Sequence, residues 1–151
     1  MNVRKYKIGF SLIGLIAFTI PMIPNIFWAL LPPVVENISD NKAAIPIVDI
    51  IQMMSQIIMI ALLITLINKE HKSTPSKKWI GGIALICLIG YFASWIIYYT
   101  FEITPLLLLG MAILPSIYFI CVGLYLDNYP ALIPAVVFAS IHIVTTAQNY
   151  L

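Results

Sequence analysis

Five apolar stretches constrain this chain more than any other feature. They run over 8–31, 46–68, 79–99, 105–126 and 129–150, and each is about the 20 residues that a helix needs to cross the hydrocarbon of a bilayer. Runs such as Ile57-Ile58-Met59-Ile60-Ala61-Leu62-Leu63 do not alternate in polarity, which argues against a transmembrane β-barrel. The first stretch is too long for a cleaved signal peptide. It lacks a small-residue cleavage site and runs into Trp28 and Pro32-Pro33. The expectation is an all-α integral membrane protein, one domain over 1–151, with five transmembrane helices in a single bundle.

Composition closes off the alternatives. The 151 residues include only 8 basic and 6 acidic side chains, and charged residues make up 9% of the chain against 62% hydrophobic. A soluble domain is about 25% charged. A soluble enzyme, a disordered tail and a secreted disulfide scaffold are excluded, and with a net charge of +2 so is a nucleic-acid partner. The two cysteines, Cys87 and Cys121, lie inside apolar runs and read as buried packing. Pro46, Pro105 and Pro130 stand near helix starts, where a missing N–H costs nothing. Asp127 or Asn128 can cap the fifth helix, and Pro32-Pro33 stops the first. Pro21, Pro24, Pro115 and Pro134 fall within spans and are expected to mark kinks buried against neighbouring helices.

Loop charge predicts orientation. Arg4, Lys5, Lys7, Lys69, Lys72, Lys77 and Lys78 fall on one side if the spans alternate, and Lys42 alone on the other. Basic residues concentrate in short cytoplasmic loops, so the N-terminus is expected to be cytoplasmic and the C-terminus outside. Glu36, Asp40 and Glu102 then lie outside, as does the tripeptide Asn37-Ile38-Ser39, a glycosylation sequon if the source is eukaryotic. The bland role of the basic segments is topological, and contact with anionic lipid is the other.

Polar groups inside spans are expensive and therefore informative. At about 1.5 Å per residue, Asn25 and Gln52 lie roughly 9 Å below the outer surface and His142 roughly 12 Å. Three stripes carry these groups: Asp49, Gln52 and Gln56; Tyr91, Trp95, Tyr98 and Glu102; and Phe138, His142, Thr145 and Asn149. Each repeats at helical spacing. Lipid cannot satisfy such stripes, so they are expected to face the bundle or a wet cavity. The inner half offers far fewer polar groups.

Each candidate has a plain alternative. Asp49 reads as a ligand or proton-binding acid, or as a first-turn carboxylate favoured by the helix dipole. Gln52 and Gln56 read as ligand contacts or as hydrogen-bonding links between helices. His142 reads as a proton switch or as a neutral interhelical histidine. A metal held by Asp49, Glu102 and His142 has no motif spacing behind it. Trp28, Trp95 and Tyr98 read as a cage for a cationic group or, with Tyr99 and Tyr150, as the interfacial aromatic belt. The belt suits Tyr99 and Tyr150 best. Gly90 and Ser94 form a small-x-x-x-small pair that permits close helix contact.

The stretches Ile23-Pro24-Asn25-Ile26-Phe27-Trp28 to Pro32-Pro33, Leu114-Pro115-Ser116-Ile117-Tyr118-Phe119 and 138–150 resemble small multi-pass proteins of low-GC Gram-positive bacteria. That resemblance implies a bacterial cell membrane and no function. Size and span number are similar to those of the tryptophan-rich sensory (translocator) proteins. Here, however, Trp28 is followed by Ala-Leu-Leu before Pro32-Pro33, which departs from that family's Trp-Pro-Pro-rich loops, so no residue is carried over.

The chain has no P-loop, no Gly-x-Ser-x-Gly elbow, no His-Glu-x-x-His and no Cys-x-x-Cys, so the expectation is a binding protein without a cofactor or metal rather than an enzyme. The leading reading is an outward-facing pocket between the second, third and fifth helices for a small cationic or amphipathic molecule, in a sensor, carrier or accessory subunit. Asp49 is the expected counter-charge, Trp95, Tyr98 and Trp28 the aromatic walls, and Gln52, Asn25 and His142 the hydrogen-bonding groups. A second reading is a structural subunit or immunity-type protein that mates with a membrane partner or with itself, with Gly90 and Ser94 facing lipid in the monomer. A third is a membrane enzyme using Asp49 and His142.

Overall fold

The computed structural model describes residues 5–31, 41–72 and 74–151. Arg4, Glu36, Asp40, the Pro32-Pro33 stop and the Asn37-Ile38-Ser39 sequon lie outside them. Five helices carry the chain: α1 (Leu12–Leu30), α2 (Pro46–Thr65), α3 (Pro75–Thr100), α4 (Pro105–Tyr125) and α5 (Tyr129–Tyr150). All five are long and apolar enough to cross a membrane. Large apolar side chains cover the outside, among them Ile86, Ile89 and Ile133, as expected where the surrounding solvent is lipid.

The all-α expectation needs one correction. Two short strands, β1 (Tyr6–Ile8) and β2 (Leu66–Asn68), pair antiparallel with Tyr6 opposite Asn68. The first span therefore begins at Leu12 rather than at Ile8, and the second ends at Thr65 rather than Asn68. Leu66 and Ile67 prolong an apolar run whose periodicity cannot separate helix from strand. The backbone near the bilayer edge must still find partners, and it finds them across the ribbon: Gly9 N–H donates to the Thr65 carbonyl at 2.9 Å and Ser11 N–H to that of Ile64 at 2.7 Å. The third span is longer than expected, starting at Pro75, and the fourth stops at Tyr125.

Packing is centred on α4, which lies against α3 and α5, while α2 packs on α5. The apolar core joins Met59 and Leu63 of α2 to Ala84, Cys87, Tyr118, Phe119 and Ala135. The internal prolines are buried. Pro21 has no N–H for the carbonyl of Ala17, and the Tyr118 hydroxyl donates to that carbonyl instead at 2.8 Å. Gly90 lies 3.2 Å from Leu114, measured from where its Cβ would stand. Its missing side chain thus serves the α3–α4 contact inside the monomer.

The end that carries the lysines is tied by a polar knot at the α4–α5 turn. Asp127 stands at φ 52°, in the left-handed region that Asn and Asp tolerate best among residues with side chains. Its carbonyl accepts from Asn68 Nδ2 at 3.1 Å and from the Tyr6 hydroxyl at 3.2 Å. Its carboxylate meets Lys77 Nζ and, at 3.1 Å, His71 Nδ1. Burial works against that charge, but the hydrogen bonds and charges of Lys77 and His71 outweigh it and hold the carboxyl below the usual carboxylate range. A depressed folded pKa gives stability that is complete above the unfolded value and disappears as pH falls through the folded one. Acid should therefore weaken the wild type as pH falls through and below the ordinary carboxylate range, and Asp127→Asn should flatten that limb of a melting-temperature profile. An unchanged acid limb in the variant would show that the ion pairs contribute nothing.

Candidate functional site

A cavity of about 270 Å³ opens in the half of the bundle away from the Asp127 knot, and all five helices line it. α1 brings Asn25, α2 brings Gln52 and Gln56, α3 brings Tyr91 and Trp95, and α5 brings Phe138, His142, Thr146 and Tyr150. α4 supplies an apolar wall that includes Met111, Pro115 and Phe119. Part of each polar stripe read from the sequence, Gln52 and Gln56, Tyr91 and Trp95, and Phe138 and His142, thus meets at one cavity with Asn25 of α1, and α4 is the helix that the sequence reading had left outside.

Local geometry fixes each polar group. Asn25 Nδ2 donates to the Tyr91 hydroxyl at 2.8 Å and to the Pro21 carbonyl at 3.0 Å. Gln52 Nε2 lies 3.4 Å from His142 Nδ1. An amide nitrogen can only donate, so with the amide in this orientation Nδ1 is the acceptor and the imidazole is neutral with its proton on Nε2. The His142 ring stacks on Phe138, with centroids 5.2 Å apart and planes 17° off parallel. Trp95 is 4% exposed and sits edge-on to Tyr91 and Tyr98.

Two pocket-lining residues carry buried polar atoms that no protein group satisfies, Gln52 Oε1 and Trp95 Nε1. The indole nitrogen approaches the Tyr91 hydroxyl without meeting hydrogen-bond geometry. A buried polar atom left unpaired costs about 1–3 kcal/mol, and both atoms are packed behind the cavity surface rather than open to it.

Other sequence-predicted residues lie elsewhere. Asp49 does not line the cavity. Its Oδ1 accepts the Ala43 N–H at 2.9 Å, from the segment ahead of α2. Trp28 and Tyr98 stand behind the wall: Tyr98 belongs to a buried aromatic cluster with Tyr91 and Trp95, and Trp28 packs against it, its Nε1 also unpaired. Asp49 and His142 are therefore not brought together in the cavity. Among the described residues no group of three His, Cys, Asp or Glu side chains is placed to hold a metal.

Sequence reasoning missed three polar contributors. Tyr150, assigned to the interfacial belt, lines the cavity, and so does Asn41. Asn41 Nδ2 donates to Thr146 Oγ1 at 2.9 Å, and its Oδ1 accepts from Asn149 Nδ2 at 2.9 Å. Asn149 also donates to the Lys42 carbonyl at 3.0 Å. These bonds clamp the segment before α2 onto α5, and the one from Ala43 to Asp49 ties it to α2. Thr146, one residue past the Thr145 of the expected stripe, faces the cavity. No protein-family model matches the chain, and no curated protein or solved structure is significantly similar to it.

Proposed function

We propose that this multi-pass membrane protein binds a small amphipathic molecule, cationic or uncharged, in the five-helix cavity and acts as a sensor, carrier or accessory subunit. The observation that carries this reading is a cavity lined from every helix, with Tyr91, Trp95 and Phe138 among its walls and Asn25, Gln52, Gln56 and His142 as its polar residues. Apolar walls with a few convergent polar groups are the usual make-up of a ligand site. Lys5, Lys7, Lys69, Lys72, Lys77 and Lys78 all belong to the end opposite the cavity, and the loop-charge rule makes that end cytoplasmic. The cavity then lies in the outer half of a cell membrane, which we take to be bacterial. Trp95 and His142 are the side chains we assign to the ligand alongside Gln52, with Asn25 holding Tyr91 in place.

A thermal-shift screen of small molecules on the purified protein, run beside Gln52→Leu and His142→Ala, tests the reading. A ligand at a hundredfold excess over its dissociation constant stabilises by about 2.7 kcal/mol, and both variants should lose most of that shift. Absence of any shift in the wild type, with variants merely less stable, would make these residues interhelical links. It would favour a structural subunit that mates with a membrane partner or a second copy.

A further inference from the structure

We infer that a second, apolar groove between α1, α3 and α4 seats one acyl chain of an anionic phospholipid, whose phosphate meets Lys78 and the lysines around it. The inference is independent of the ligand cavity and rests only on the chain's lying in a bilayer. The groove has a volume of about 210 Å³ and lies at the end of the bundle that carries the Asp127 knot. Ala84, Tyr118 and Val122 form its buried floor, while Ile13 and Leu85 stand exposed at its rims. It exists because α1 packs mainly on α2 and only lightly on α3 and α4, and because Ala17, Gly81 and Ala84 are small. The Tyr118 hydroxyl, bonded to the Ala17 carbonyl at 2.8 Å, ties α1 to α4 across the floor.

Length and charge select the occupant. Along α3 the groove runs from Gly81 to Leu88, about 10 Å at 1.5 Å per residue, which fits within one leaflet of a hydrocarbon core roughly 30 Å thick. Trp79, 78% exposed, marks the level of the headgroups just above it, as interfacial tryptophans do. Tyr125 closes that end of the groove: its ring lies 3.4 Å from where a Gly81 Cβ would stand and 6.0 Å, between centroids, from the ring of His71. Lys77 and Lys78 stand one helical turn ahead of Gly81. Lys77 is engaged with Asp127, whereas Lys78, Lys7, Lys69 and Lys72 are exposed and form no ion pair among the described residues. Among those residues Glu70 is the one acid at this end outside the knot. A phosphate held above the groove thus meets uncompensated positive charge, which attracts anionic headgroups. A second copy of the chain, inserted in the same orientation, would bring its own lysines against these.

The full chain can be purified with equal amounts of phosphatidylglycerol and phosphatidylcholine, and the retained lipid counted by native mass spectrometry. The expected result is one phosphatidylglycerol per chain, favoured at least tenfold over phosphatidylcholine. Lys78→Gln should weaken its retention about fivefold, the contribution of one basic residue near the surface. Gly81→Leu fills the groove from its floor and Ile13→Trp from its exposed rim, where a larger side chain leaves the fold intact. Both should abolish retention, while Ile133→Trp, on the exposed surface of α5, should not. Equal retention of the two lipids would overturn the anionic assignment. Retention of phosphatidylglycerol unchanged in both groove variants would overturn the groove as its seat. Wild-type dimers free of lipid that Ile13→Trp converts to monomers would give the groove to a second copy and overturn the inference.

Discussion

Replacing Gly14 with alanine is expected to destabilise the protein by about 3 kcal/mol, the upper end of what over-packing costs. A Cβ at position 14 would stand 2.0 Å from the Leu63 carbonyl oxygen and 2.7 Å from its carbon. Both atoms are backbone, so no side chain can rotate away. Moving α1 off α2 is no remedy, because the Gly9 and Ser11 N–H groups, immediately ahead of α1, already bond the carbonyls of Thr65 and Ile64. Shifting the helix would break those bonds or the Ser11 cap on the Gly14 N–H, at 3.0 Å. Gly82 is the control. It is helical, and a Cβ there would meet nothing within 4 Å. Gly82→Ala should be neutral or stabilise by up to about 1 kcal/mol, since alanine is the better helix former. Equal unfolding midpoints for the two variants would show that the close approach of α1 to α2 is not needed.

The second large effect is expected at Asn128, which is 1% exposed. Its Nδ2 donates to the carbonyls of Leu62 at 2.8 Å and Leu66 at 3.0 Å, where α2 gives way to β2. Its Oδ1 accepts the Ala131 N–H at 3.3 Å and so caps α5. One side chain therefore joins the end of α2, the ribbon and the start of α5. Asn128→Leu keeps the volume and removes all three bonds, leaving buried backbone groups short of partners. At about 1–3 kcal/mol for a group left unpaired and about 1 kcal/mol for a lost cap, the expected loss is roughly 2–4 kcal/mol. Asn128→Asp separates the two roles. It retains the cap and points a carboxylate at two carbonyl oxygens, so it should be at least as harmful as Asn128→Leu. A harmless Asn128→Asp would mean that capping alone is at work. Amide exchange at residues 62–68 reads the same contact locally, and both variants should speed it.

The position of Asn128 shows what was hidden. From the chain alone it reads as one of two possible caps between apolar spans, because the carbonyls it reaches lie more than 60 positions away. Asp127 likewise reads only as a possible cap, and only folding brings Lys77 and His71 to its carboxylate. α4 was the other blind spot. Its span carries no polar stripe, so nothing in its pattern says which face meets the cavity. An evenly apolar helix can be buried on several sides, and α4 is the most buried of the five.

Asp49 was misplaced for a related reason. Its spacing puts it on the same stripe as Gln52 and Gln56, yet a carboxylate in the first turn can also reach the backbone ahead of the helix, and the N–H it takes there is that of Ala43. Spacing identifies a face of a helix without saying where the cavity on that face ends. Tyr150 illustrates the opposite error: the interfacial position that suits a belt residue also marks the mouth of a bundle, and there the ring lines the cavity.

Length and apolarity alone determined that the chain forms five helices able to cross a membrane, because a bilayer accepts only stretches of that length whose backbone groups bond internally. Helical spacing alone determined that polar faces of the second, third and fifth spans turn inward, because lipid cannot pair with them. Tertiary structure decided the rest: the ribbon that shortens the first two spans, the apolar wall from α4, the knot around Asp127 and Asn128, and the exclusion of Asp49 from the cavity. Each of these depends on which backbone groups remain unpaired once the helices are side by side, and that is a property of distances between segments far apart along the chain.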